Sequence, residues 1–374
     1  MSLKDRLATA SKPKDGGSLI KRFGVMENPY PASSQTADNP HFRLDIDEEV
    51  DARIESFVRD RRSQVVVVVG TQGTGKTNVL NYYERELKGA LEELDGFYVV
   101  RYLADPESSF DSTIRRIFQE LGPDHFMELG QRLHSGHRAA LELARSHEVR
   151  IALHNLARSR GDPEVADHLN QWLLGLRLLK IHRELLGVNF RLDTVESRTA
   201  ALRDIVQISS AVGLLNGIFL LLDELEKQDG TLSATAVVRY LSAMRAIIDA
   251  LPNHLFMMIA VTPDALRRYS VALPAFRSRL ENTLVLSPLT EEEDALELAE
   301  FYLKEARRRA GEHGASAEKQ YRPLLAHDQI REVFAAALER AHRRSDEGVR
   351  QREFLHLLHG LAEETIQQAT GSSS

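Results

Sequence analysis

Three hydrophobic patterns alternate along this chain of 374 residues. The first is the short unbroken apolar run: QVVVVV at 64–69, FYVVRYLA at 97–104, GIFLLL leading into DELE at 217–226, HLFMMIAVT at 254–262 and NTLVLSP at 282–288. Runs of this length, rich in Val, Ile, Leu and Phe, predict strands buried on both faces, as in a parallel sheet. The second pattern is apolar spacing of three and four, which predicts helices. It covers 46–62, with Ile46, Val50, Ile54, Phe57 and Val58 on one face, then the segment after 77, about 107–210, about 233–250, and from about 289 to 368. Pro123, Gly161-Asp162-Pro163 and Gly187 punctuate the longest of these. The third pattern is irregular. Residues 1–18 are polar, and 19–45 are rich in Pro, Asn and Ser with aromatics that predict packing on the body.

Strands alternating with helices predict an α/β fold: a parallel sheet with helices on both faces, a large helical insertion, and a C-terminal all-helical lid. The expected organisation is an N-terminal arm and irregular segment at 1–45 and a sheet domain at 46–288, with the insertion at about 107–195. The lid follows at 289–368, and a flexible tail at 369–374.

Composition narrows the class. At 43% hydrophobic and 28% charged, the chain reads as a soluble globular protein. It has no cysteine, so disulfides and thiolate zinc sites are excluded. The polar start, MSLKDRLATASKPKDGG, is no signal peptide, and the longest apolar runs are far too short to span a bilayer. A cytoplasmic location is expected. The net charge of −7 gives no global pull toward nucleic acid. Local basic surfaces remain at Arg307-Arg308-Arg309 and at Arg340, Arg343, Arg344, Arg350 and Arg352, with solvated helix faces as the alternative.

The chemistry begins where the valine run ends. Gly70, Thr71, Gln72, Gly73, Thr74, Gly75, Lys76 and Thr77 form the G-x-x-x-x-G-K-[ST] phosphate loop, between a predicted strand and a predicted helix. Glycines let backbone N–H groups close around phosphate oxygens, and the helix N-terminus adds partial positive charge. Lys76 would reach the β- and γ-phosphates of ATP, and Thr77 would place its hydroxyl on Mg²⁺. The strand GIFLLL ends in Asp223-Glu224, at the edge where parallel sheets bind ligands. Asp223 is the candidate Mg²⁺ carboxylate and Glu224 the group that polarises the attacking water. Thr262 ends the fourth strand, as a water or γ-phosphate contact or as the cap of the next helix. Arg279, just before the fifth strand, reads as an arginine lent to a neighbouring subunit or as a surface ion pair with Glu281 or another carboxylate. Arg350 or Arg352 would approach the γ-phosphate from the lid. No N-K-x-D segment is present to read guanine, and the Asp-Glu pair with the helical C-terminal end favours hydrolysis over a small-metabolite kinase.

This ordered set resembles the AAA+ ATPases. S-R-L followed by a strand and S-P-L-T resembles their initiator clade. The resemblance implies Thr262 as sensor 1, Arg279 as the arginine finger, Arg352 as sensor 2, and a homo-oligomer in the ATP state. A gap of 147 positions separates Lys76 from Asp223, much longer than a minimal module, and the helical insertion accounts for it. GDPEVADHLNQWLLGLRLLKIHRELLGVNFRL, ALRDIVQISSAVGLLNGIFLLLDELE and REFLHLL resemble ATP-binding proteins of bacterial phage-defence islands, including the BREX type. An ATPase powering or gating a DNA-directed machine is therefore expected. The alternative is a nucleotide-gated switch that recruits a partner through the insertion. Trp172 within that insertion marks either a partner surface or core.

Overall fold

The computed structural model describes residues 16–32, 39–103, 110–225, 233–280, 282–312 and 321–371. Most of the expected N-terminal arm, and the tail beyond 371, lie outside them. In chain order the elements are α1 (Gly16–Phe23), α2 (Asp45–Asp60), β1 (Gln64–Val69), α3 (Lys76–Leu91) and β2 (Phe97–Leu103). Then come α4 (Asp111–His134), α5 (His147–Arg158), α6 (Pro163–Leu173), α7 (Lys180–Leu186), α8 (Val195–Ala211) and β3 (Gly217–Asp223). The remainder is α9 (Ala234–Ala250), β4 (Leu255–Val261), α10 (Pro263–Ala272), α11 (Pro274–Arg277), β5 (Thr283–Val285), α12 (Glu292–Gly311), α13 (His327–Arg343) and α14 (Gln351–Gly371). A 3₁₀ turn at Arg138–Leu143 joins α4 to α5.

The chain divides into two units. One holds 44–70 and 79–285; the other holds the N-terminal segment to 43, residues 71–78 and 286 onward. The first is built on a five-stranded sheet of order β2-β3-β4-β1-β5, with every pairing parallel. Val66, Val67 and Val68 have no exposed surface because β1 lies inside the sheet, between β4 and β5. This is why the run is apolar on both faces rather than alternating.

The insertion between β2 and β3 is continuous with this core. Phe118, Phe126, Leu129, Leu153, Leu169 and Ile205 belong to the same hydrophobic cluster as Val67, Leu220 and Met257. Helix α4 breaks at Gly122 (φ 69°, ψ 173°), a conformation only glycine holds cheaply, just before Pro123. Trp172 is core: it is 1% exposed and its indole N–H donates to the Phe190 carbonyl at 2.9 Å.

In the second unit, α12, α13 and α14 bury Leu298, Tyr302, Phe334, Phe354 and Leu358 with Leu19, Phe23 and Tyr30 from the N-terminal segment. The Phe42 and Phe301 rings meet edge to face at 5.4 Å, and Asn28 Nδ2 donates to the His359 carbonyl at 2.9 Å. The irregular stretch is thus held by its aromatics, as the pattern predicted. Among the described residues no helix is long and apolar enough to cross a membrane.

Candidate functional site

Strand β1 delivers the chain into the glycine loop, and α3 starts at Lys76. Gly73 (φ 89°) and Gly75 (φ 105°) sit in the backbone region that side chains avoid. The Thr74 hydroxyl donates to the Thr71 carbonyl at 2.9 Å and tightens the turn. Lys76 Nζ donates to the same carbonyl at 3.3 Å, which folds the largely buried ammonium over the loop. A backbone bond from Arg352 N–H to the Gly73 carbonyl at 3.0 Å ties α14 to the loop. A Cβ on Gly75 would come within 3.0 Å of Gln351 Oε1, so these two neighbours at the start of α14 both crowd the glycines. Asn78 anchors the N-terminal segment: its Nδ2 donates to the Asn39 carbonyl at 3.2 Å and its Oδ1 lies 2.8 Å from His41 Nδ1.

The acidic pair belongs to the sheet unit. Asp223 closes β3 and is 1% exposed. Its Oδ2 accepts from Arg101 Nη2 at 2.7 Å and its Oδ1 from the Glu224 N–H at 2.9 Å. Arg101 belongs to β2, where register pairs Leu103 with Asp223, so the arginine lies one pleat back on the same face. It also reaches Asn81 Oδ1 at 3.3 Å, while its Nη1 is buried without a partner. Glu224 turns sharply, with φ of 54°. Left-handed backbone in a non-glycine residue costs about 1–3 kcal/mol and clusters at functional sites.

The remaining candidates divide. The Thr262 hydroxyl accepts from the Ala265 N–H at 3.3 Å and caps α10, with Pro263 in the first turn. Gly70 N–H bonds to the Val261 carbonyl at 3.2 Å, so the ends of β1 and β4 are adjacent. Arg279 Nε donates to Asp249 Oδ1 at 2.8 Å, a surface ion pair within the chain. Arg350 is engaged by Asp346 at 3.2 Å, whereas the Arg352 side chain is exposed. Within the basic stretches Arg308 pairs with Glu305, Arg343 with Glu339 and Arg344 with Glu353.

Residues 129–367 match the family model described as BREX system ATP-binding protein BrxC/D. The chain belongs to the BrxC/BrxD family. The matched stretch of this BrxC/BrxD chain carries Asp223, Glu224, Thr262, Arg279 and Arg352; the phosphate loop lies before it. No curated protein matches the chain. Among solved structures it is similar to the Aeropyrum pernix ORC2 protein in ADPNP–ADP complexes, at 14% identity and a TM-score of 0.42, over 87% of this chain and 69% of that one. The ADP form of the same protein matches at 12% and 0.42, over 90% and 71%. A Walker-type ATPase of Pyrococcus abyssi matches at 10% and 0.41, over 92% and 75%.

Proposed function

We propose that this BrxC/BrxD-family chain binds ATP with Mg²⁺ and hydrolyses it as an AAA+ ATPase. The observation that carries the reading is the loop itself. Two glycines in left-handed backbone, a lysine held over the turn and a helix N-terminus together form a cradle for phosphate oxygens. Thr77 and Asp223 are hard oxygen donors of the kind Mg²⁺ takes, which fits that ion. When bound, Mg²⁺ neutralises charge on the β- and γ-oxygens.

Each residue then has a task. Gly70, Thr71, Gln72, Gly73, Thr74 and Gly75 wrap the phosphates, and Lys76 exchanges the Thr71 carbonyl for phosphate oxygens. Glu224, set by its left-handed backbone, holds the attacking water and takes its proton. Thr262 positions that water, and Arg352 reaches the γ-phosphate. Arg279 leaves Asp249 and enters the site of a neighbouring copy in an ATP-state oligomer that serves a DNA-directed defence machine. The test is Glu224→Gln. ATP affinity should persist while turnover falls about 10²–10⁴-fold. Wild-type protein that fails to bind ATP, or a variant with unchanged turnover, would overturn the proposal.

A second reading is favoured by one surface. Leu176, Leu179, Ile181, Leu185 and Phe190 of the insertion are 44–70% exposed. Apolar exposure concentrated in one short segment suits a protein partner. In this reading ATP gates recruitment of a nuclease or helicase through the insertion, and hydrolysis resets it. Glu224→Gln separates the two, because a variant locked in the ATP state should retain the partner if the protein is a switch.

A further inference from the structure

Helices α6 and α7 of the insertion bring Glu164, His168 and His182 together, with one ligand-capable atom from each within 4.8 Å of the other two. Glu164 and His168 stand one turn apart on α6, on a shared face. The first turn is fixed by Asp162, whose carboxylate accepts from the Glu164 N–H at 2.9 Å and the Val165 N–H at 3.3 Å, and by Pro163 behind it. His182 arrives from α7 and stacks its ring on His168, with centroids 3.7 Å apart and planes at 17°. The Trp172–Phe190 hydrogen bond closes the segment that carries α7 back onto α6.

His168 is the decisive residue. It is only 7% exposed, yet neither ring nitrogen has a hydrogen-bond partner. Its Nε2 stands 3.6 Å from Glu164 Oε1, beyond hydrogen-bond distance but within reach of a shared ligand. Buried polar atoms in native proteins are almost always satisfied, so an orphaned imidazole facing a carboxylate and a second imidazole calls for a bridging group. A cation is a group that all three can ligate at once.

We propose that Glu164, His168 and His182 bind a divalent transition metal of the zinc class, which clasps α6 to α7. Two imidazoles and one carboxylate suit this class rather than Mg²⁺ or Ca²⁺, which take oxygen ligands. Three protein ligands leave a fourth position for water. Loading turns the half-buried His182 ring out of the stack, so that its nitrogen and that of His168 converge on one point. One ligand, His182, lies within the exposed apolar segment from Leu176 to Phe190, so the clasp would fix its shape.

The test uses the full chain, stripped of metal and held in excess Mg²⁺ so that hard-oxygen sites are filled. It is titrated with Zn²⁺ by calorimetry and with Co²⁺ by visible absorption. One saturable equivalent, visible Co²⁺ bands and a Zn²⁺-dependent rise in melting temperature are expected. All three should be lost in His182→Ala and in Glu164→Ala, the latter removing a side chain that is 74% exposed, so that its metal-free form keeps the fold. No saturable equivalent in the wild-type chain, or one that survives both substitutions, would overturn the proposal. The readout is independent of nucleotide binding.

Discussion

Removing the charge of Arg101 probes the end of β3 most directly. Asp223 is 1% exposed in its side chain and Arg101 12%, and the pair meets at 2.7 Å. Arg101→Met keeps the apolar stem and strands the carboxylate. Breaking a buried pair from one side costs about 3–5 kcal/mol. Asp223 retains the Glu224 N–H and Arg101 is slightly exposed, so the lower end applies, about 3 kcal/mol. In a unit of this size about 2–4 °C accompanies each kcal/mol, which places the drop in melting temperature at about 6–12 °C. The assay is a double-mutant cycle with Asp223→Asn, read by urea unfolding. The two single losses should exceed the loss in the double variant by at least about 1.5 kcal/mol. Additive losses would refute the assignment of the pair as coupled.

Other predictions extend the same physics. His125 lies between Tyr98 (2.7 Å) and Ser209 (2.9 Å), and burial, helped by the Arg132 charge, lowers its pKa to about 4. The unfolded chain therefore takes up that proton first. Stability should be intact above about pH 6.5 and fall by about 3 kcal/mol as pH drops to 4, and unfolding of His125→Asn should show a shallower pH slope. Gly161 has φ of 71° and its added Cβ would lie 2.1 Å from the Met127 carbonyl, so Gly161→Ala should cost about 3 kcal/mol or more. Gly213→Ala, at φ 72° with ordinary contact only, should cost about 1–2 kcal/mol in the same unfolding assay. ATP turnover per subunit should rise with protein concentration in the wild type and lose that rise in Arg279→Ala. A rate independent of both would remove the claim of a shared site.

The strands were legible as apolar runs, with β1, β3 and β4 buried almost throughout, β2 carrying Arg101 and β5 alternating; the observed ends fall within a few residues of those expected. Their order was not, since the placement of β1 between β4 and β5 depends on contacts far apart in the chain. Both halves of the proposed nucleotide site are local patterns in the chain. Arg101 was missed, being 122 positions from Asp223. A signal did exist: an arginine inside a run read as buried needs a counter-charge, and Asp223 was an acid ending another run read as buried. Thr262 caps α10 and Arg279 pairs with Asp249 within the chain, as the plainer alternatives have it; Glu281 lies outside the described residues. The Glu164–His168 spacing was visible, but His182 belongs to another helix and only folding places it there.

The hydrogen bond from Arg352 to Gly73 orders events during synthesis. The ribosome makes the loop about 280 residues before its partner, an interval of about 14–56 s at typical elongation rates. Throughout that time the nascent chain carries a full phosphate-binding sequence whose central carbonyl lacks its closing donor. Closure of the loop by this bond therefore waits until α14 emerges.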